Sequence, residues 1–174
     1  MKHPLSLFSF CPVCGEKDFG INNSKSKKCN SCGFVYYFNS SSAVVALIFN
    51  MKGELLVCRR AKEPAKGTLD LPGGFVDMYE MAEDAIWREV KEELNLDIDS
   101  LSYQFSLPNI YLYSSFEVHT LDIFFECNVS SFDNMKVADD VSDAYFLSLD
   151  KVTSEEFGLS SIRKGIEMLK RKKN

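Results

Sequence analysis

Two cysteine pairs near the N-terminus constrain what this chain can fold into more than any other feature. CPVCG and CNSCG place Cys11, Cys14, Cys29 and Cys32 in two CxxC turns, each followed by a glycine, Gly15 and Gly33. A CxxC turn lets two thiolates reach one ion, and glycine allows the backbone to pass close beside it. The intervening residues 16–28 are short and polar, with too little apolar content to fold unaided. A tetrahedral four-sulfur zinc site would supply the missing stability. The alternatives for these cysteines are two disulfides or free thiols. With four protein sulfurs filling the coordination shell, such a site is structural rather than catalytic. The chain therefore reads as a small zinc ribbon, residues 1–39, followed by a larger domain, residues 40–174, with the polar NSSS stretch at the boundary.

The larger domain has material for a core of its own, since 45% of the 174 residues are hydrophobic and 26% charged. Cys58 and Cys127 sit inside the apolar runs LLVCRR and IFFECNV and read as core residues. The opening MKHPLSLFSFCP has neither a continuous apolar run nor a small-residue cleavage site, so no signal peptide is expected. No stretch approaches the roughly 20 apolar residues of a membrane span. Six cysteines without a secretion signal point to a reducing compartment, and the cytoplasm is the expected location. A net charge of −5 argues against a duplex nucleic acid partner. It leaves room for a small phosphorylated ligand whose charge a divalent ion neutralises.

Strand patterns follow the second cysteine pair: FVYYF, AVVALIFN and ELLVCRR, the last two joined by a turn at Asn50–Gly53. LSYQFSL (101–107), TLDIFFECNV (120–129) and DAYFLSL (143–149) are further strands, and helices are expected over 80–94 and near 160–171. The strands outnumber the helices and do not alternate regularly with them, which predicts an α+β domain with a mixed sheet. The basic KRKK that closes the chain suits a helix C-terminus.

The first helix carries an unusual charge pattern. At about 100° per residue, Ala82, Ala85, Ile86, Val90 and Leu94 form one apolar stripe. Glu89, Glu92 and Glu93 gather in an arc of about 100° that overlaps the edge of this stripe. Like charges at i,i+3 and i,i+4 repel by about 0.2–0.5 kcal/mol per pair. Carboxylates crowded beside a buried face suit a hard cation such as Mg2+ or Mn2+, while a solvated acidic face remains the plainer alternative. Upstream, LDLPGGFVDMYE brings two glycines before the helix, where backbone can approach a ligand closely, and puts Glu80 at the expected helix start.

From Gly74 the spacing runs five residues to Glu80, seven to Arg88, and then through Glu89, Val90, Glu92, Glu93, Asn95 and Leu96. This resembles the Nudix box, G-x5-E-x7-R-E-U-x-E-E-x-G-U with U aliphatic, and matches eight of its nine specified positions. The departure is Asn95 in place of glycine, where a left-handed residue is expected and asparagine is the next-best choice. The resemblance implies the Nudix fold, a mixed sheet between helices, and hydrolysis of a nucleoside diphosphate derivative by water attack on phosphorus. It further implies that Glu89, Glu92, Glu93 and the Gly74 backbone hold Mg2+ or Mn2+, with Arg88 orienting the glutamates. Glu80 would support the site or a further ion, and Glu89 is a candidate to activate water. DDVSDAYF resembles a later acidic segment of the family, making Asp140 the expected additional metal ligand, with Asp139 and Asp143 as substitutes. Homodimers are common in the family.

A four-cysteine ribbon ahead of such a domain is similar to bacterial NADH pyrophosphatases. This chain is too short for the extra N-terminal domain of those enzymes, and SLPNIYLYSSF stands where their NADH-selective array lies. Tyr111, Tyr113 and Phe116 are candidates to stack on a base or nicotinamide ring, or else core residues. NADH, NAD+, ADP-ribose and related dinucleotides or sugar nucleotides all remain candidate substrates. Two other classes stay open: a nucleotide-sensing domain of this family without catalysis, and a zinc-ribbon adaptor using Lys25, Lys27 and Lys28.

Overall fold

The structure is a computed structural model describing residues 3–173. Two compact units emerge, one comprising Met1–Ser40 with Leu112–Val118, the other Ser41–Tyr111 with His119–Asn174.

In the first unit, β1 (Phe19–Asn23), β2 (Ser26–Cys29) and β3 (Val35–Tyr37) form an antiparallel sheet in sequence order. The polar spacer between the cysteine pairs is thus a hairpin, closed where Asn22 donates to Ser26 Oγ and Lys25 N donates to Asn23 Oδ1. Its core is small: Cys11, Phe19 and Cys29 are buried, with Phe34 against them. Both CxxC turns close alike, Gly15 N donating to Cys11 O and Gly33 N to Cys29 O at 2.9 Å, with the glycines at φ 76° and 79°. The four Sγ atoms lie within 4.8 Å of one another, with 3.7 Å between Cys11 and Cys32 and 3.6 Å between Cys14 and Cys29. A tetrahedron with Zn–S of about 2.3 Å has S···S edges of about 3.8 Å, whereas a disulfide needs about 2.05 Å. The sulfurs therefore fit a metal and not two bridges. Lys27, a candidate for an adaptor surface, is instead buried, its ammonium donating to Phe8 O at 2.6 Å and lying 5.5 Å from the Phe19 ring centroid.

The second unit is α+β, as the pattern predicts. β4 (Ser41–Ile48) pairs in parallel with β8 (Phe116–Asn128), which neighbours β7 (Ser100–Tyr113), giving a mixed sheet. β5 (Leu55–Arg60) lies between β6 (Leu69–Asp70) and β9 (Val141–Leu147) in an antiparallel sheet. β7 is longer than expected, running through Pro108 to a turn at Ser114 and Ser115, both at positive φ. The helices are α1 (Ala82–Leu94) and α2 (Ser160–Lys173). Asn95 caps α1 at φ 54°, ψ 31°, in the left-handed conformation expected of it.

β4 reads as a continuous apolar run because both its faces are covered. Val44, Ala46 and Ile48 pack with Ala85, Ile86, Val90 and Leu94 of α1. Val45 and Leu47 pack with Phe105, Phe124 and, from α2, Ile162 and Ile166. Cys58 and Cys127 are core residues on the α1 side. The free edge of β4 is taken by residues 72–76: Val44 N donates to Gly74 O, Ala46 N to Pro72 O, and Val76 N to Ser42 O.

Two outcomes are expected. Phe124 is fully buried, stacks on Phe105 at 4.7 Å and faces Gly165, so Phe124→Ala should cost about 3–5 kcal/mol in a denaturant titration. A zinc chelator under reducing conditions should remove amide exchange protection from β1–β3 and leave that of β4, β5 and β8 in place; retained ribbon protection, or no zinc by elemental analysis, would refute the metal staple.

Candidate active site

α1 begins two residues after Glu80, so Glu80 does not sit in the first helical turn as the pattern suggested. It lies in the preceding loop, its Oε2 accepting from Asp77 N at 2.9 Å, and Arg88 binds it from the second turn of the helix. Arg88 Nε and Nη2 donate to the two Glu80 oxygens at 2.8 and 2.9 Å, a bidentate pair. Nη1 donates to Glu89 Oε1 at 2.8 Å and Glu92 Oε2 at 3.2 Å, and Nη2 also to Phe75 O at 3.0 Å. One guanidinium thus ties the loop and two helix glutamates together. Arg88 holds the Glu80 carboxyl down to about 2, with the Asp77 amide adding to the effect.

The other glutamates meet the glycine pair. Glu93 is 6% exposed and its Oε2 accepts from Gly73 N at 3.0 Å. Burial pushes its carboxyl up to about 8, against the opposing pull of that amide. Burial likewise raises Glu89, with Arg88 acting in the other sense. A Cβ on Gly74 would fall 2.5 Å from Glu89 Oε1, and one on Gly73 would fall 2.1 Å from Val44 O. Only backbone fits between β4 and α1 at this level.

The later acidic loop returns to α1, where Lys136 N donates to Leu94 O and Ala138 N to Glu93 O. Asp139 and Asp140 thereby reach the same cavity as the glutamates. Both pair with Lys62, Asp139 at 3.0 Å, and Lys62 holds the Asp139 carboxyl below its ordinary range. Asp143 lies on β9 opposite Arg59 and is not among the lining residues.

This cavity, of about 310 Å³, is built entirely within the second unit. Gly74, Arg88, Glu89, Glu92 and Glu93 line one side, while Glu80 acts through Arg88 from outside. Of the aromatic candidates, Tyr111 lines it, edge-on to Phe75 at 5.8 Å. Tyr113 and Phe116 do not: Tyr113 is exposed, and Phe116 packs edge-on against Phe8 and Phe38 in the first unit. Phe116 is thus a packing residue there, since its ring is already covered on two sides.

Sequence reasoning missed the polar lining residues Arg60, Asp70, Asp77, Asn109, Thr120 and Asp122. Arg60 pairs with Asp70 at 2.5 Å. A signal for Asp122 and Thr120 was available: in TLDIFFECNV they share the inward face with Phe124 at period two, so polar groups stood at core positions.

Eight carboxylates line the cavity (Asp70, Asp77, Glu89, Glu92, Glu93, Asp122, Asp139 and Asp140) against the two guanidinium groups of Arg60 and Arg88. Among the described residues, only the four cysteines bring three or more ligand atoms of this kind within 4.8 Å of one another. The α1 carboxylates are spread, Glu89 and Glu92 by Arg88 and Glu93 by the Gly73 amide. Spread, hard oxygen donors fit Mg2+ or Mn2+, which bind through one or two carboxylates, waters and substrate phosphate rather than in a closed protein cage.

Residues 40–167 match the family model described as NUDIX domain. The chain is 31% identical over 150 residues to the ADP-ribose pyrophosphatase of Methanocaldococcus jannaschii, covering 84% of this chain and 85% of that protein. It is 25% identical over 145 residues to the NAD-capped RNA hydrolase NudC of Pseudomonas aeruginosa, of which it spans 48%. The crystal structure of a NUDIX hydrolase from Nitrosomonas europaea superposes with a TM-score of 0.69 at 18% identity, over 92% of this chain and 89% of that one. With the box residues gathered on α1 and its glycine loop, and the match spanning residues 40–167, this chain belongs to the Nudix family.

Proposed function

We propose that the chain is a Mg2+- or Mn2+-dependent pyrophosphohydrolase of nucleoside diphosphate derivatives, with ADP-ribose the leading substrate. The supporting observation is the cavity's charge, eight carboxylates to two guanidinium groups beside a side-chain-free Gly73–Gly74 backbone. A diphosphate is repelled from such a field unless cations bridge it. Bound Mg2+ or Mn2+ would neutralise the diphosphate oxygens and lower the pKa of a coordinated water. Glu89, Glu92 and Glu93 would hold the ions, with Asp140 joining them by exchanging its Lys62 partner. Arg88 fixes Glu89 and Glu92 in place and anchors them to Glu80, so that little reorganisation is needed during reaction. Glu89, largely buried against Gly74, is the candidate to take a proton from the attacking water. The likeness to the archaeal ADP-ribose pyrophosphatase over most of both chains favours that substrate. NADH, NAD+ and NAD-capped RNA are the next to test. The zinc ribbon is assigned a structural role, and the buried Lys27 speaks against a basic adaptor face built on the Lys25–Lys28 cluster.

The test is a panel of ADP-ribose, NADH, NAD+, NAD-capped RNA, sugar nucleotides and nucleoside triphosphates, each with Mg2+ or Mn2+. Glu92→Gln and Glu93→Gln should lower kcat/KM on the preferred member by about 100-fold or more and weaken Mn2+ binding measured by paramagnetic resonance. Turnover of none of the panel, or unchanged rates in both variants, would refute the assignment. Arg88→Ala should lose activity to a similar degree, because it frees three carboxylates at once.

A further inference from the structure

The cavity wall formed by β7, β8 and the start of α2 is polar at positions where a sheet face normally carries apolar side chains. Asp122 is 4% exposed, and its two oxygens accept from Thr120 Oγ1 at 2.6 Å and Ser161 Oγ at 2.5 Å. Thr120 and Asn109 are each 4% exposed and Ser161 is fully buried, while Asn109 Oδ1 accepts from Ser160 Oγ at 2.8 Å. None of the ion pairs among the described residues includes Asp122. A carboxylate buried among neutral hydroxyls is costly, and an asparagine could bond both hydroxyls without that cost, accepting at Oδ1 and donating from Nδ2. A carboxylate has about four acceptor positions, so two remain after Thr120 and Ser161.

The position of this wall relative to the glutamates follows from the strand register. Asp122 is opposite Ala43, and Ala43 bridges Phe75, the neighbour of Gly74. Two strand spacings, roughly 10 Å, therefore separate Asp122 from the glycine loop that meets Glu89. Phe75 and Tyr111 line the cavity as well, and Leu159, just before α2, and Ile162 of α2 contribute apolar surface.

We propose that this wall is the nucleoside pocket of the site and that Asp122 is its specificity-determining residue. It accepts hydrogen bonds from hydroxyl or amino donors of an adenosine moiety and repels phosphate, so the substrate enters with its diphosphate toward α1. The inference rests on the nucleotide reading of the cavity but not on catalysis, because binding alone reports it.

The probe is AMP in saturating Mg2+, which offsets the carboxylate field, titrated calorimetrically into the wild-type chain and into Asp122→Asn. The expected result is a loss of about tenfold or more in affinity in the variant, at a melting temperature no lower than that of the wild type. Inosine and 2′-deoxyadenosine monophosphates identify the donor: the variant should lose the wild-type preference for AMP over one of them. Should the variant fail to fold, amide chemical shifts on AMP addition to the wild-type chain decide the matter. Shifts at Thr120, Asp122 and Ser161 support the pocket, and shifts confined to residues 88–93 refute it. Equal affinities in a folded variant, or no AMP binding by the wild-type chain, would also overturn the proposal. An inactive chain that still binds AMP through Asp122 would overturn the hydrolase reading alone.

Discussion

The structure turns on the close approach of residues 72–76 to the free edge of β4. Gly73 leaves no space for a Cβ against Val44 O, and its φ of 142° is a conformation that side-chain-bearing residues rarely adopt. The bonds from Val44 and Ala46 to this segment complete the pairing of β4 and also fix Gly74 against Glu89. The same β4 residues bury the apolar stripe of α1. Core packing and site geometry are therefore one problem: a shift of α1 by the width of a side chain would pull the glutamates from the glycine loop.

Within that frame electrostatics sets the remaining positions. Like-charged carboxylates on adjacent helical turns repel, and here each has a counterweight: Arg88 for Glu80, Glu89 and Glu92, the Gly73 amide for Glu93, and Lys62 for Asp139 and Asp140. Burial still works against Glu93 strongly enough to move its carboxyl to about 8. On the proposed reading, a cation and the anionic ligand it bridges complete this charge balance.

Much of this was legible from local pattern. The CxxC spacing implied a common sulfur cluster, and the helical wheel put Glu89, Glu92 and Glu93 on one side of α1 at the edge of its apolar stripe. Asn95 could be expected in a left-handed cap because few residues accept that conformation. Glu80 was misplaced in the helix because the pattern carries no signal for where the loop ends, and its tie to Arg88 spans eight residues. Tyr113 and Phe116 resembled Tyr111 in kind, but they stand at the far end of β7 and across its turn, beyond the cavity that Tyr111 lines.

The sequence by itself determined the two helices, most strands of the larger domain, the cysteine cluster and the identity of the α1 carboxylates, because each depends on spacing along one turn, strand or helix. Only the tertiary structure decided which distant side chains complete the cavity. Arg60, Asp70, Asn109, Thr120 and Asp122 come from four different strands, and their meeting depends on sheet order and register. Register is set by packing on both faces of β4 and β8 at once, a constraint that no single segment of the chain contains.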